Sequence, residues 1–217
     1  MSNSMLITRP KYDDATEYLS AWSKPVITFA KNKGIKVHDL SGKKANKKEI
    51  ENFLQAKNSK LVFFNGHGSE ETIAGQNGEI IISEKNAELL KTKIIYARAC
   101  HAGKKIGKDI VKQGAEAFIG YEKPFSFFID ERWSAKPLND KLAALFLEPS
   151  NQIITSLLKG NTARESFKKS REASIKIIKK FTRSTAESGS QQIAWIMFEN
   201  ITGQVLIGND NALVRTN

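Results

Sequence analysis

Hydrophobic positions in this chain fall into two alternating patterns. Short apolar runs, four to six residues long, read as strands. They are Met5–Thr8, Lys36–Leu40, Leu61–Phe64, Lys93–Ala97, Ala115–Gly120 and a last one within Gly203–Gly208. Between them, apolar residues recur at helical spacing. Asp13 and Asp14 can cap a helix carrying Ala15, Tyr18, Leu19 and Trp22; Pro25 kinks or restarts it and Gly34 ends it. Ile50, Phe53 and Leu54 mark a short helix, and a further helix is expected from Ser83 through Leu90. Another is predicted over Gly103–Lys112, with Ile106, Ile110 and Val111 inward. Leu138, Leu142, Leu145 and Phe146 predict a helix stopped by Pro149, and Ile153 to Leu158 a separate one ending at Gly160. Thr162 with Glu165 forms a capping box for a helix running to Arg183, and Ile193–Phe198 is a last helix. Asn77-Gly78 between Thr72–Ala74 and Glu79–Ile82 signals a hairpin.

Alternating strands and helices predict an α/β fold, a mostly parallel sheet with helices on both faces. The Leu61–Phe64 run is apolar on both sides, as a central parallel strand must be. With 217 residues and neither repeat nor long linker, a single domain over 1–217 is expected.

Composition narrows the class. Hydrophobic residues make up 40% and charged residues 26%, ordinary for a globular protein. No apolar run reaches the length of a membrane span, and the N-terminus lacks a basic-then-apolar signal, so a cytoplasmic protein is expected. One cysteine excludes an intrachain disulfide framework and a multi-cysteine zinc site. The net charge of +11 has two readings, a solvated lysine surface or an acidic partner such as nucleic acid or an anionic membrane. The same pair of readings applies to 164–183, with eight Lys/Arg and two Glu.

Reactive side chains cluster at two strand ends. Leu61–Phe64 runs into Asn65-Gly66-His67-Gly68, and the strand to Ala97 runs into Arg98-Ala99-Cys100. In open α/β sheets ligands bind beyond the carboxyl ends of strands, so neighbouring strands would bring His67 to Cys100 on one rim. A thiol with an ordinary pKa of about 8.5 needs such a base to become a nucleophile. The N–H groups of Gly68 and Cys100 could stabilise an oxyanion, and the N-terminus of the following helix would favour thiolate. Arg98 shares the strand parity of Cys100. It either reads a substrate carboxylate at P1, favouring cleavage after Asp or Glu, or pairs internally with Glu122 or Asp130. His101 is expected to point away from Cys100, and His38 to be packed or at the surface. The aromatic stretch from Tyr121 to Ser134 walls the cleft or plugs the sheet edge.

The pair LVFFNGHG and IIYARAC, followed by Gly103 and by GAEAFIGY, resembles the caspase-like cysteine peptidases. That group includes caspases, metacaspases, gingipains, clostripain, separase and CHAT-domain proteins. By element order the resemblance runs from the first or second strand to Tyr121; by motif it covers about sixty residues. It implies a three-layer sandwich and a cysteine endopeptidase with Cys100 as nucleophile, His67 as base and acid, and Gly68 as an oxyanion donor. No metal or organic cofactor is implied. The expected partners are a protein or peptide substrate and a regulatory protein. Some basic-specific members carry an acid two residues before the cysteine; Arg98 departs from that. The alternative is a catalytically silent module that binds a partner through its basic surface.

Overall fold

The computed structural model describes residues 2–56, 59–183 and 190–214. One six-stranded sheet organises the chain. In chain order its strands are β1 (Ser2–Arg9), β2 (Lys36–Ser41), β3 (Ser59–Asn65), β6 (Ile94–Arg98), β7 (Ala117–Tyr121) and β8 (Gln204–Gly208). The spatial order is β2-β1-β3-β6-β7-β8. The pairs from β2 to β7 are parallel, and β8 runs antiparallel to β7. A separate hairpin joins β4 (Ile73–Ala74) to β5 (Ile80–Ile82). It turns through Asn77 and Gly78, both at positive φ, as Asn-Gly turns require.

Alternating side chains on the central strands feed two cores. Leu61, Phe63, Ile94 and Tyr96 face one side, packed by α1 (Asp14–Trp22), α2 (Lys24–Asn32), α5 (Lys141–Leu158) and the start of α6 (Ala163–Phe181). Val62, Phe64, Ile95 and Ala97 face the other, covered by α3 (Lys47–Ala56), α4 (Ile106–Lys112) and the hairpin. Both faces of β3 and β6 are therefore dry, the physical meaning of their continuous apolar runs. The chain is thus the expected α/β sandwich of helix, sheet and helix. α7 (Ser190–Gly203) packs on α6 and leads directly into β8.

Several local expectations hold. Asp13 caps α1, its side chain accepting from the Thr16 N–H, and Thr162 with Glu165 closes the capping box of α6. Others need correction. Pro149 does not stop a helix; α5 runs continuously through it. The segment is buried against the sheet from Ala143 to Leu158, and that packing outweighs the one main-chain bond a proline removes. Leu138 lies outside α5, in an exposed single turn. The helix expected from Ser83 is present, wound as a 3-10 helix over Glu84–Leu90 and capped by Ser83. The polar stretch Ser184–Gln191, which reads in sequence as a loop, lies mostly outside the described residues; Ser190 and Gln191 belong to α7. No helix among the described residues is long and apolar enough to cross a membrane.

Candidate active site

β3 and β6 are neighbours in the sheet, in register Asn65↔Arg98. His67 and Cys100 each lie two residues beyond that pair. The sequence therefore delivers both to the same rim, at matching heights. The turn between them is tight. Gly66 has φ +143, and a Cβ there would lie 2.5 Å from the Ala74 carbonyl oxygen. A Cβ on Gly68 would lie 2.8 Å from the Cys100 carbonyl oxygen and 2.9 Å from the Ala99 Cβ. Only glycine lets the His67 loop settle onto the end of β6. The loop is also tied beyond Cys100: Glu70 accepts from the Ile106 N–H through its carbonyl (2.7 Å) and pairs with Lys104 (2.6 Å).

His67 has a partner that sequence reasoning assigned only as a helix cap. Its Nε2 lies 2.7 Å from Oδ2 of Asp13, and the Tyr12 ring meets it edge-on at 6.0 Å. Burial pushes the Asp13 carboxyl up, but the Thr16 N–H, His67 and the Thr16 hydroxyl more than offset it, and the group sits below its ordinary pKa. The signal was available: Asp13 follows the carboxyl end of β1, and β1 pairs with β3. The rule that points to His67 and Cys100 also points there.

Cys100 is half-buried, and no hydrogen bond joins it to His67. Burial pushes its thiol pKa up; the main-chain N–H groups of Phe125 and of Cys100 itself face the sulfur and oppose the shift. The expected help from a helix N-terminus is absent. α4 begins at Ile106, and a turn with His101 at φ +60 intervenes. Among the described residues neither the Gly68 nor the Cys100 N–H donates to a main-chain carbonyl in the turns and loops, and the Cys100 N–H faces its own sulfur. Gly68 is bridged to Ile73 only through its neighbours: Ala74 donates to the His67 carbonyl and Ser69 to that of Thr72.

Arg98 is the clearest correction. It is fully buried, at 0% exposure. Its guanidinium donates to Asn65 Oδ1 (2.6 and 2.9 Å), Ser150 Oγ (2.9 Å), Asn151 Oδ1 (3.1 Å), Ser23 Oγ (3.0 Å) and the Leu19 carbonyl (3.1 Å). It cannot read a substrate carboxylate, and neither internal acid is its partner: Asp130 pairs with Arg132 and Glu122 with Lys108. Strand parity gave the direction of Arg98 but not its depth, since α1, α2 and α5 cover that face.

The remaining candidates fall where expected. His101 Nδ1 lies 3.1 Å from the Glu122 carbonyl oxygen, turned to β7 and not to the sulfur. His38 packs against Phe53, with ring centroids 4.5 Å apart and planes tilted by 52°. The aromatic stretch combines both readings: Phe125 joins the core beside Tyr121, and its main chain borders Cys100. Asn200 of α7 pins it, accepting from the Ser126 N–H and donating to the Ser126 carbonyl. The α6 lysines 168, 176, 179 and 180 are exposed, and so are Trp195 and Phe198 on α7.

No protein-family model matches the sequence, and no curated protein matches it. Solved structures do match in shape. The Arg-specific cysteine proteinase gingipain R superposes over 99% of this chain with a TM-score of 0.65 and 14% identity. The complex of Porphyromonas gingivalis RgpB pro- and mature domains matches over 98%, with a TM-score of 0.60 and 13% identity. A structure described only as a protease matches over 98%, with a TM-score of 0.52 and 12% identity. This chain spans about half of those proteins, 48% in each case. At such identities the likeness is one of fold, and the fold of this chain is that of the caspase-like cysteine proteinases.

Proposed function

We propose that this chain is a cysteine endopeptidase in which Cys100 is the nucleophile, His67 the general base and acid, and Asp13 the residue that orients His67. The observation that carries this reading is the β3–β6 register, which puts His67 and Cys100 on one rim with Gly68 seated on the Cys100 carbonyl. With Nε2–H donated to Asp13, the basic lone pair of His67 is Nδ1. Nδ1 takes the thiol proton as Sγ attacks the peptide carbonyl, and returns it to the leaving amine. A water deprotonated by the same nitrogen then releases the acyl group. The Gly68 and Cys100 N–H groups donate to the oxyanion.

The resting site needs a rearrangement before this chemistry. Its thiol is raised by burial and is not bonded to His67. Catalytic hydrogen bonds commonly tighten only when substrate binds. Control by a second polypeptide fits this state, and one structural neighbour is itself a complex of pro- and mature domains. The same raised thiol favours a second reading, a silent module that binds a protein partner. An acidic P1 preference has no carrier here, because Arg98 is buried.

A thiol-reactive peptide probe separates the two readings. Labelling at Cys100, lost in Cys100→Ala and strongly reduced in His67→Ala, supports the peptidase. Equal labelling of wild type and His67→Ala would leave His67 without a role and favour the silent module.

A further inference from the structure

Arg98 is a buried cation with no carboxylate among its six hydrogen bonds. Removing a charge from water is costly, and apolar replacements of buried charged groups are often neutral or stabilising. Stability alone is a weak reason for a guanidinium here, so where its bonds go matters more. Asn65 takes two of them and ends β3, two residues before His67. Asn65 also donates to the Thr8 carbonyl of β1 (2.8 Å). The Leu19 carbonyl and Ser23 lie at the end of α1, whose first-turn cap is Asp13. Arg98 itself ends β6, two residues before Cys100. Ser150 and Asn151 anchor the group to α5 just past Pro149, and Asn151 Nδ2 donates back to the Trp22 carbonyl (2.7 Å). The Phe63 ring covers the guanidinium at 5.2 Å.

We infer that Arg98 is a positioning residue: one guanidinium fixes the three elements that carry Asp13, His67 and Cys100 relative to one another. The planar fork suits this role, because its five N–H donors leave in set directions toward different elements. Lysine would keep the charge without that geometry. The inference rests on the proposed Asp13–His67–Cys100 site, and it makes Arg98 indifferent to the residue at P1.

Arg98→Lys and Arg98→Met are compared with wild type by peptide turnover and by amide hydrogen exchange. For folded variants with unchanged circular dichroism, kcat is expected to fall on the order of 10²-fold, the scale of an ångström-sized misplacement, with KM nearly unchanged. The loss should be equal for substrates with acidic, neutral and basic P1. Exchange should quicken together at 64–68, at 98–101 and in the first turn of α1, while β2 and α6 keep wild-type protection. Wild-type kcat in folded Arg98→Met, or a loss confined to acidic P1, would overturn the inference. Exchange that changes only next to residue 98 would do the same. Should wild type itself show no turnover, the peptidase reading fails, and the exchange pattern still decides the role of Arg98.

Discussion

At the residue scale the site is defined by what its groups do at rest. Burial keeps the Cys100 proton on, so alkylation by iodoacetamide should rise with pH to a midpoint above the ordinary thiol value of about 8.5. A midpoint near neutrality would show a thiolate already stabilised. Asp13 permits a clean substitution, because asparagine caps helices as well as aspartate does. Asp13→Asn should keep α1 and lower kcat by roughly 10²–10⁴-fold, the range for losing an imidazole's oriented partner. Its folded-state pKa is depressed, so the stability it contributes is present above the ordinary value of 3.8 and is lost as pH falls through the lower folded value. The melting difference between wild type and Asp13→Asn should therefore shrink as pH falls below the ordinary carboxylate range; a difference independent of pH across the acid range would place its cause elsewhere.

At the element scale the turn between the strand ends is decisive. Gly68→Ala would force a methyl group against the Cys100 carbonyl and the Ala99 methyl, and neither can move without moving β6. A stability loss of about 1–3 kcal/mol is expected, with activity lost more steeply than stability. Denaturant melts beside turnover would check this, and full activity would mean that the loop docks differently. Helices illustrate what local pattern can and cannot say. Thr162 and Glu165 were legible because both halves of a capping box lie three residues apart. Pro149 misled because its local effect, one lost bond, is smaller than the burial of the helix around it.

At the scale of the whole molecule, +11 net charge sits on a sheet sandwich whose site rim is lined by His67, Asp13 and Cys100. Excess like charge destabilises the compact state and is screened by salt. Raising NaCl from ~10 to ~200 mM shortens the Debye length from about 30 to under 10 Å. The melting temperature should then rise by a few degrees; a fall would mean that surface ion pairs such as Lys104–Glu70 outweigh the repulsion.

The sequence by itself determined the parallel α/β sheet and the candidacy of His67 and Cys100. Both are read from short-range pattern: apolar runs, strand ends and the glycines that follow them. Strand order, depth and partnership belong to the tertiary structure. Asp13 lies 54 residues from His67, and only the β1–β3 pairing brings its carboxylate to the ring. Arg98 had the right parity for a substrate-reading side chain. The end of α1 and the middle of α5, more than a hundred residues apart in sequence, close over it and turn it into the tie between strand ends. Parity is a property of one strand; burial is set by what packs against it. The opening motif therefore named a candidate nucleophile and base but not what holds them in place.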